Sequence, residues 1–171
     1  MNAEKIFESE SIIRFPDCDP FNHLNNGRYI DYFLNAREDH LMRYQNFNIY
    51  ETALKKGITW VSTKNQIAYI KPALLMETVV IQSTLLKWRE KDVLVEMLMW
   101  SKDKTVLKAL LWASFVHFDL KSQKSIAHSD ELTAQFRQFE NPVTADMTFD
   151  NRLSEILRNL KTAGNQQNPD R

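Results

Sequence analysis

The chain has 171 residues, with Lys+Arg and Asp+Glu both at 22 and a formal net charge of zero. That balance argues against a general nucleic-acid binder, whose surface is usually basic, and leaves room only for a local basic patch. The length suggests one domain, able to bury roughly 70% of its unfolded surface without a covalent or metal staple, with space for a terminal extension.

A single cysteine, Cys18, rules out an intrachain disulfide and fits a reducing compartment. The opening MNAEKIFESES holds no basic segment followed by an apolar stretch, so no signal peptide is expected. The longest apolar run, near Ala109 to Val116, is broken by Ser114. It falls far short of the ~20 residues of a membrane span. The expectation is a soluble, cytoplasmic protein. Glycine occurs only at Gly27, Gly57 and Gly164, so turns must be built mainly from Asp, Asn, Lys and Ser. There is no Gly-rich phosphate loop, G-x-S-x-G, H-E-x-x-H or paired C-x-x-C.

In chain order, Ile6 to Phe15 alternates as a strand, with Phe7, Ile13 and Phe15 on one face. A polar loop follows, with Asp17, Asp19, Asn22, His23, Asn25 and Asn26 in close succession. From Asn26 to about Phe47 the apolar residues fall at helical spacing. Tyr29, Phe33, Ala36, His40, Tyr44 and Phe47 form one stripe, flanked by Ile30, Leu34, Leu41 and Met42. An apolar surface that wide predicts a helix surrounded by structure, with Asn25 or Asn26 as its N-cap. After Gly57, Ile58–Ile70, Thr78–Trp88, Val93–Trp100 and Thr105–Asp119 read as strands, with polar turns at Arg89–Asp92 and Ser101–Lys104. One strand, one long helix and four strands give an α+β antiparallel architecture whose sheet can curl around the helix. Asp130 to Phe139 suggests a short helix. Phe149, Leu153, Ile156, Leu157 and Leu160 trace a second helical stripe, and the tail from Gly164 reads as disordered. The predicted division is a domain over 1–125, a helical extension over 126–163 and a tail over 164–171.

The Asp-bearing loop before the helix is the candidate site. A carboxylate can act as base or nucleophile, and a helix start can stabilise an oxyanion. Cys18 is a poor nucleophile candidate, because two flanking carboxylates disfavour its thiolate. Asp17 reads as a turn or ion-pair residue. Tyr29 and Tyr32 read as packing residues, and His117 and His128 carry no ligand role.

The element order, with D-x-D-P-x-x-H-x-N-N-x-x-Y, resembles the hotdog-fold acyl-CoA thioesterases of the 4-hydroxybenzoyl-CoA thioesterase type. The resemblance spans about Phe7 to Leu120. It rests on RFPDCDP (Arg14–Pro20), HLNNGRYIDYF (His23–Phe33), IAYIKPALLMET (Ile67–Thr78) and KWREKDVLVEM (Lys87–Met97). It implies a sheet wrapped around the long helix and active sites between paired subunits.

It further implies that Asp19 is the catalytic carboxylate, activating water or attacking the thioester directly. The backbone N–H of Asn26, seven residues on, would polarise the carbonyl. His23 is a further candidate, orienting water, holding the carbonyl or bonding a backbone group. Related plant acyl-carrier-protein thioesterases have an Asn where this chain has Phe21. Asn25, Arg89 and Lys91 are the expected substrate-binding residues, the last two gripping CoA phosphates, although Glu90 between them opposes that role. The implied activity is hydrolysis of an acyl-CoA to a carboxylic acid and CoA, without metal or other cofactor. The alternatives are an acyl-carrier-protein thioesterase and a non-hydrolytic acyl-thioester-binding or assembly protein. A metal site from Asp17, Asp19 and His23 is a further, weaker alternative. An isolated curled sheet would leave edges and an apolar face exposed, so a homodimer or homotetramer is expected.

Overall fold

Strands with apolar side chains on both faces need cover on both sides, and the chain supplies it from its own helices. A computed structural model describes residues 4–45, 47–144 and 147–166. The elements run β1 (Ile6–Ile12), α1 (Tyr29–Gln45), α2 (Ile49–Lys56), β2 (Ile58–Tyr69), β3 (Thr78–Trp88), β4 (Asp92–Ser101), β5 (Leu107–Asp119), β6 (Lys124–Ser125), α3 (Asp130–Phe139) and α4 (Phe149–Gln166). The sheet order is β1-β3-β4-β5-β2, antiparallel throughout, with β6 pairing the end of β5. This is the expected α+β hotdog arrangement, a curled antiparallel sheet around a central helix.

Alternate residues of the central strands face α1. Ile81, Val95, Met97, Met99 and Leu111, none more than 1% exposed, share one cluster with Tyr29, Phe33 and Ala36. The opposite face carries Leu86, Leu110 and Trp112, and α4 covers it with Phe149 and Ile156. The helical stripe read in the C-terminal sequence therefore docks on the outer face of the sheet. Glu96 on β4 is buried there, accepting Trp112 Nε1 at 2.9 Å and Arg152 Nε and Nη2, both at 2.9 Å. These bonds to Glu96 raise the Arg152 pKa above its usual value.

Four local expectations shift. The first strand ends at Ile12, because Pro16 starts a tight 3₁₀ turn over Phe15–Asp17. The long helix begins at Tyr29 rather than Asn26; Asn26–Arg28 form a preceding turn, so neither Asn25 nor Asn26 occupies its N-cap. Near its expected end at Phe47 the chain turns into α2, which the apolar pattern did not predict. Asn48 Oδ1 accepts the Glu51 N–H at 3.0 Å, and Gly57 closes the helix at φ 70°. Finally, α4 continues past Gly164 to Gln166, so the first three residues of the expected tail belong to the helix; residues 167–171 of that tail lie outside the described residues.

His40 is fully buried between Ser83 Oγ (2.7 Å from Nδ1) and Ser9 Oγ (2.9 Å from Nε2). Burial first, then the neighbouring Arg37 and Arg43, holds its pKa down to about 4. Burial also lowers His117 and His128.

Two stability predictions follow from these buried groups. Arg152→Ala should cost about 3–5 kcal/mol in urea unfolding, because it strands a buried carboxylate. The Glu96→Gln/Arg152→Ala pair should lose less than the sum of its single changes. Additive losses would show that the pair is not coupled. A histidine whose pKa is depressed on folding contributes full stability above its unfolded pKa of about 6.5. That stability is lost as pH falls toward the folded value, at about 1.4 kcal/mol per pH unit for each neutral imidazole. The urea midpoint should therefore drop between pH 7 and pH 5, and less steeply in His40→Gln. A flat wild-type profile would contradict this.

Candidate active site

The loop between β1 and α1 is pinched into a small hairpin by an isolated bridge between Cys18 and Leu24. Within it, Asp19 N–H donates to His23 O at 2.8 Å and Asn22 N–H to Asp19 O at 3.1 Å. Asn22 takes the left-handed conformation at φ 60°, which asparagine tolerates better than most residues. Asp19 Oδ1 accepts two backbone donors, Phe21 N–H at 2.9 Å and His23 N–H at 3.0 Å. One carboxylate oxygen thus caps the turn, while Oδ2 has no hydrogen-bond partner among the described residues. The turn-capping contacts thus fall on one oxygen of this half-buried group and leave the other open for a chemical role.

This hairpin rests on the segment between β2 and β3. Leu24 N–H donates to Ala73 O, Leu75 N–H to Asn22 O and Met76 N–H to Ile13 O, at 2.8, 2.9 and 3.0 Å. The buried Tyr29 hydroxyl accepts the Ala73 N–H at 3.0 Å, tying the same segment to α1. Lys108, buried on β5, braces it from below, with Nζ 2.7 Å from Glu77 Oε1 and 3.0 Å from Pro72 O. The position of Asp19 is therefore set by α1, β5 and this segment together.

Along the approach to α1, almost every backbone donor is used. Asn25 N–H donates to Asp17 O (2.9 Å), Gly27 N–H to Asn25 Oδ1 (2.9 Å) and Arg28 N–H to Asn25 O (2.8 Å). Asn26 N–H, between them, has no acceptor among the described residues, while Asn26 O accepts the Tyr69 hydroxyl at 2.8 Å. Tyr69 fixes the following peptide, Asn26–Gly27, from β2. Sequence reasoning missed it, because an exposed strand tyrosine carries no signal until the pairing of β2 is known.

Asp17 is engaged structurally. Its Oδ2 accepts the Tyr32 hydroxyl at 2.9 Å, and Arg28 Nε lies 3.7 Å from its Oδ1. Tyr32 is thus a hydrogen-bonding strut as well as a packing residue. Cys18 is half-buried against the core, and its Sγ donates to Arg14 O at 3.4 Å. Burial, then Asp17 and Asp19, pushes its thiol pKa up. Its thiolate is disfavoured, as expected. His23 is half-buried at the rim, its ring 6.5 Å from that of exposed Phe21, with no side-chain hydrogen bond among the described residues. The Asn25 side chain is spent on Gly27. No three His, Cys, Asp or Glu side chains converge as metal ligands among the described residues, so Asp17, Asp19 and His23 do not form such a set.

Arg89 and Lys91 lie elsewhere. They occupy the β3–β4 turn, at the far end of an 11-residue strand whose start adjoins the Asp19 loop. At about 3.3 Å per residue, that separation is about 33 Å. Arg89 Nη1 is 3.7 Å from Asp92 Oδ1, and both cations are exposed. Within one chain, Asp19, His23, Asn25 and Asn26 come together, and the two cations do not join them. Among the described residues, no helix is long and apolar enough to cross a membrane.

The comparisons with known proteins agree with this geometry. The thioesterase-like superfamily matches residues 13–136. The long-chain acyl-CoA thioesterase FadM of Escherichia coli K12 is 28% identical over 126 residues, covering 74% of this chain and 93% of FadM. The crystal structure of YbaW from Escherichia coli, described as a probable thioesterase, superposes with a TM-score of 0.66 at 26% identity, over 78% of this chain and 98% of YbaW. SAV2348 from Staphylococcus aureus, solved in complex with CoA, shares the fold at a TM-score of 0.73 and 13% identity, over 87% of this chain and 92% of its own. The curled sheet, the Asp-bearing loop before the central helix and the extent of the match agree: this chain belongs to the thioesterase-like superfamily and is a hotdog-fold thioester hydrolase.

Proposed function

We propose that this chain hydrolyses acyl-CoA thioesters, with Asp19 as the reacting carboxylate and the Asn26 N–H as the oxyanion donor. The observation that carries this reading is the unpaired Asn26 N–H, flanked by engaged donors, on the same loop as a carboxylate with one oxygen fixed and the other free. In one route Asp19 Oδ2 takes a proton from water, and the resulting hydroxide adds to the carbonyl carbon. In the other, Oδ2 adds directly and water later opens the mixed anhydride. In both, the C–S bond breaks, sulfur leaves as the CoA thiolate, and negative charge on the carbonyl oxygen is met by Asn26 N–H at the positive end of α1. FadM, named a long-chain acyl-CoA thioesterase, and the CoA complex of SAV2348 support the choice of carrier.

The same reading implies a second copy. Among the described residues the outer edge of β2 is unpaired, and residues 61–66 along it are exposed, as a strand awaiting a partner would be. Two-fold antiparallel pairing of β2 edges would bring the second copy's β3–β4 turn, with its two cations, to this chain's Asn26. That gives Arg89 and Lys91 a phosphate-binding role across a dimer. The outer sheet face, through which dimers could stack into a tetramer, is covered by α4.

Asp19→Asn is the decisive variant. The carboxamide oxygen can still accept the Phe21 and His23 N–H groups, so the turn survives while the base is lost. Turnover on a panel of acyl-CoAs of graded length, aromatic ones included, should fall about 10²–10⁴-fold. Unchanged turnover would overturn the assignment. A wild type that binds CoA esters without turnover would indicate a binding protein, and a preference for acyl-carrier-protein esters would change the carrier. For the turn, Arg89→Glu/Lys91→Glu should raise KM for an acyl-CoA but leave KM for the matching N-acetylcysteamine thioester unchanged. An equal rise for both would remove its phosphate role. Sedimentation should show a dimer.

A further inference from the structure

Alongside α1 lies a cavity of about 260 Å³ that the mechanism above does not use. Its walls are mostly apolar: Leu41 from α1, Trp60 from β2, Val95 and Phe115 from the sheet, and Phe136 from α3. Arg37 also lines it. Arg37 follows Tyr29 and Phe33 at helical spacing, so it shares the buried face of α1, about 12 Å along the axis from Tyr29.

A guanidinium there needs a counter-charge. Among the described residues, no carboxylate lies within 4 Å of it to form an ion pair. Among the described residues its only hydrogen bond is a long one, Nη1 to the fully buried Ser83 Oγ at 3.4 Å, and His40 already holds that oxygen at 2.7 Å. Guanidinium carries five N–H donors, so most are unspent. They face open space rather than protein, since Trp88 Nε1 is the one enclosed side-chain polar atom without a partner among the described residues. Burial alone pulls the Arg37 pKa down to about 10, and it remains cationic at neutral pH. Glu38, on the same wall, is held by the Tyr50 hydroxyl at 2.6 Å. Arg37 is half-buried, so water meets these donors in the open cavity, and among the described residues no group of the fold would replace that water once an apolar occupant displaced it.

We propose that the cavity receives the far end of the acyl group, and that the acyl groups preferred here carry a carboxylate at that end, paired with Arg37. This rests on the hydrolase reading: the thioester sits at Asn26 and the chain runs along α1 toward Arg37. The substrate class is then an ω-carboxyacyl thioester, and the released acid is a dicarboxylic acid. A methyl-terminated chain of equal length would leave the guanidinium dehydrated and unpaired, which costs more than a neutral mismatch.

The test uses non-hydrolysable thioether analogues, so that it does not depend on turnover. Suberoyl is paired with octanoyl, and dodecanedioyl with dodecanoyl, each as the CoA thioether, with binding measured by calorimetry. The wild type should bind the carboxylated member of at least one pair about 10- to 100-fold more tightly. Arg37→Met should erase that preference, and Arg37→Lys should keep part of it. Equal or weaker wild-type binding of both carboxylated analogues overturns the proposal without any variant. So does a preference that survives Arg37→Met. Hydrolysis of the corresponding esters is measured in parallel. Carboxylate-selective binding without turnover would sustain the Arg37 site and sink the hydrolase reading. Turnover without selective binding would do the reverse.

Discussion

Enclosure of α1 by the curled sheet is the constraint on which the rest depends. The helix buries Tyr29, Phe33, Ala36 and His40 against strands whose facing residues are almost wholly excluded from water. Each fully buried apolar side chain of this size contributes roughly 1.5–3 kcal/mol. With the helix immobilised, its start is fixed relative to the sheet. Tyr29 then holds Ala73, Ala73 holds Leu24, and the hairpin bearing Asp19 follows. The candidate chemistry sits on a loop, but that loop is tied to the core by an unbroken series of hydrogen bonds.

Much of this was legible in the sequence, for identifiable reasons. The strands after Gly57 are long and bounded by charged turns, so their limits fall within a few residues of the structure. Asp130–Phe139 matched its helix because Ser129 offers a clear cap, accepting the Leu132 N–H. Asp19 stood out from its loop. Other features needed three dimensions. Tyr69 reaches Asn26 across 43 residues, and no local pattern announces such a strut. Arg37 was invisible among helical charges, because only packing shows that it points inward without a counter-ion. The start of α1 was misplaced because Asn25 and Asn26 have capping chemistry, which Asn25 spends on the preceding turn instead. The missed α2 did leave a signal, Asn48 with Glu51 before Gly57, overshadowed by the longer apolar stripe.

In the proposed mechanism one carboxylate both holds a turn and does chemistry. A wholly solvated Asp19 would be poorly positioned, and a wholly bonded one would be unreactive. Dividing its oxygens between two backbone donors and open space gives orientation without saturation. Asn26 repeats the logic in the backbone. The peptide that carries its N–H is held through Asn25 O, which accepts the Arg28 N–H, while Tyr69 anchors the next peptide at Asn26 O.

The cover that α4 gives the sheet has a consequence for how the molecule is made. Strands β4 and β5 carry apolar side chains on both faces, including Leu98, Trp100, Leu110 and Trp112. Synthesis from the N-terminus supplies α1 before those strands, so the inner face can close as they emerge. The outer face cannot, because Phe149 and Ile156 are translated after every strand of the sheet. Until they leave the ribosome, a nearly finished sheet presents a greasy back to its surroundings, and nascent chains of this protein are then at their most vulnerable to clumping. The buried Glu96 on that face is a partial safeguard: until Arg152 arrives to neutralise it, its charge keeps the uncovered surface from being uniformly sticky.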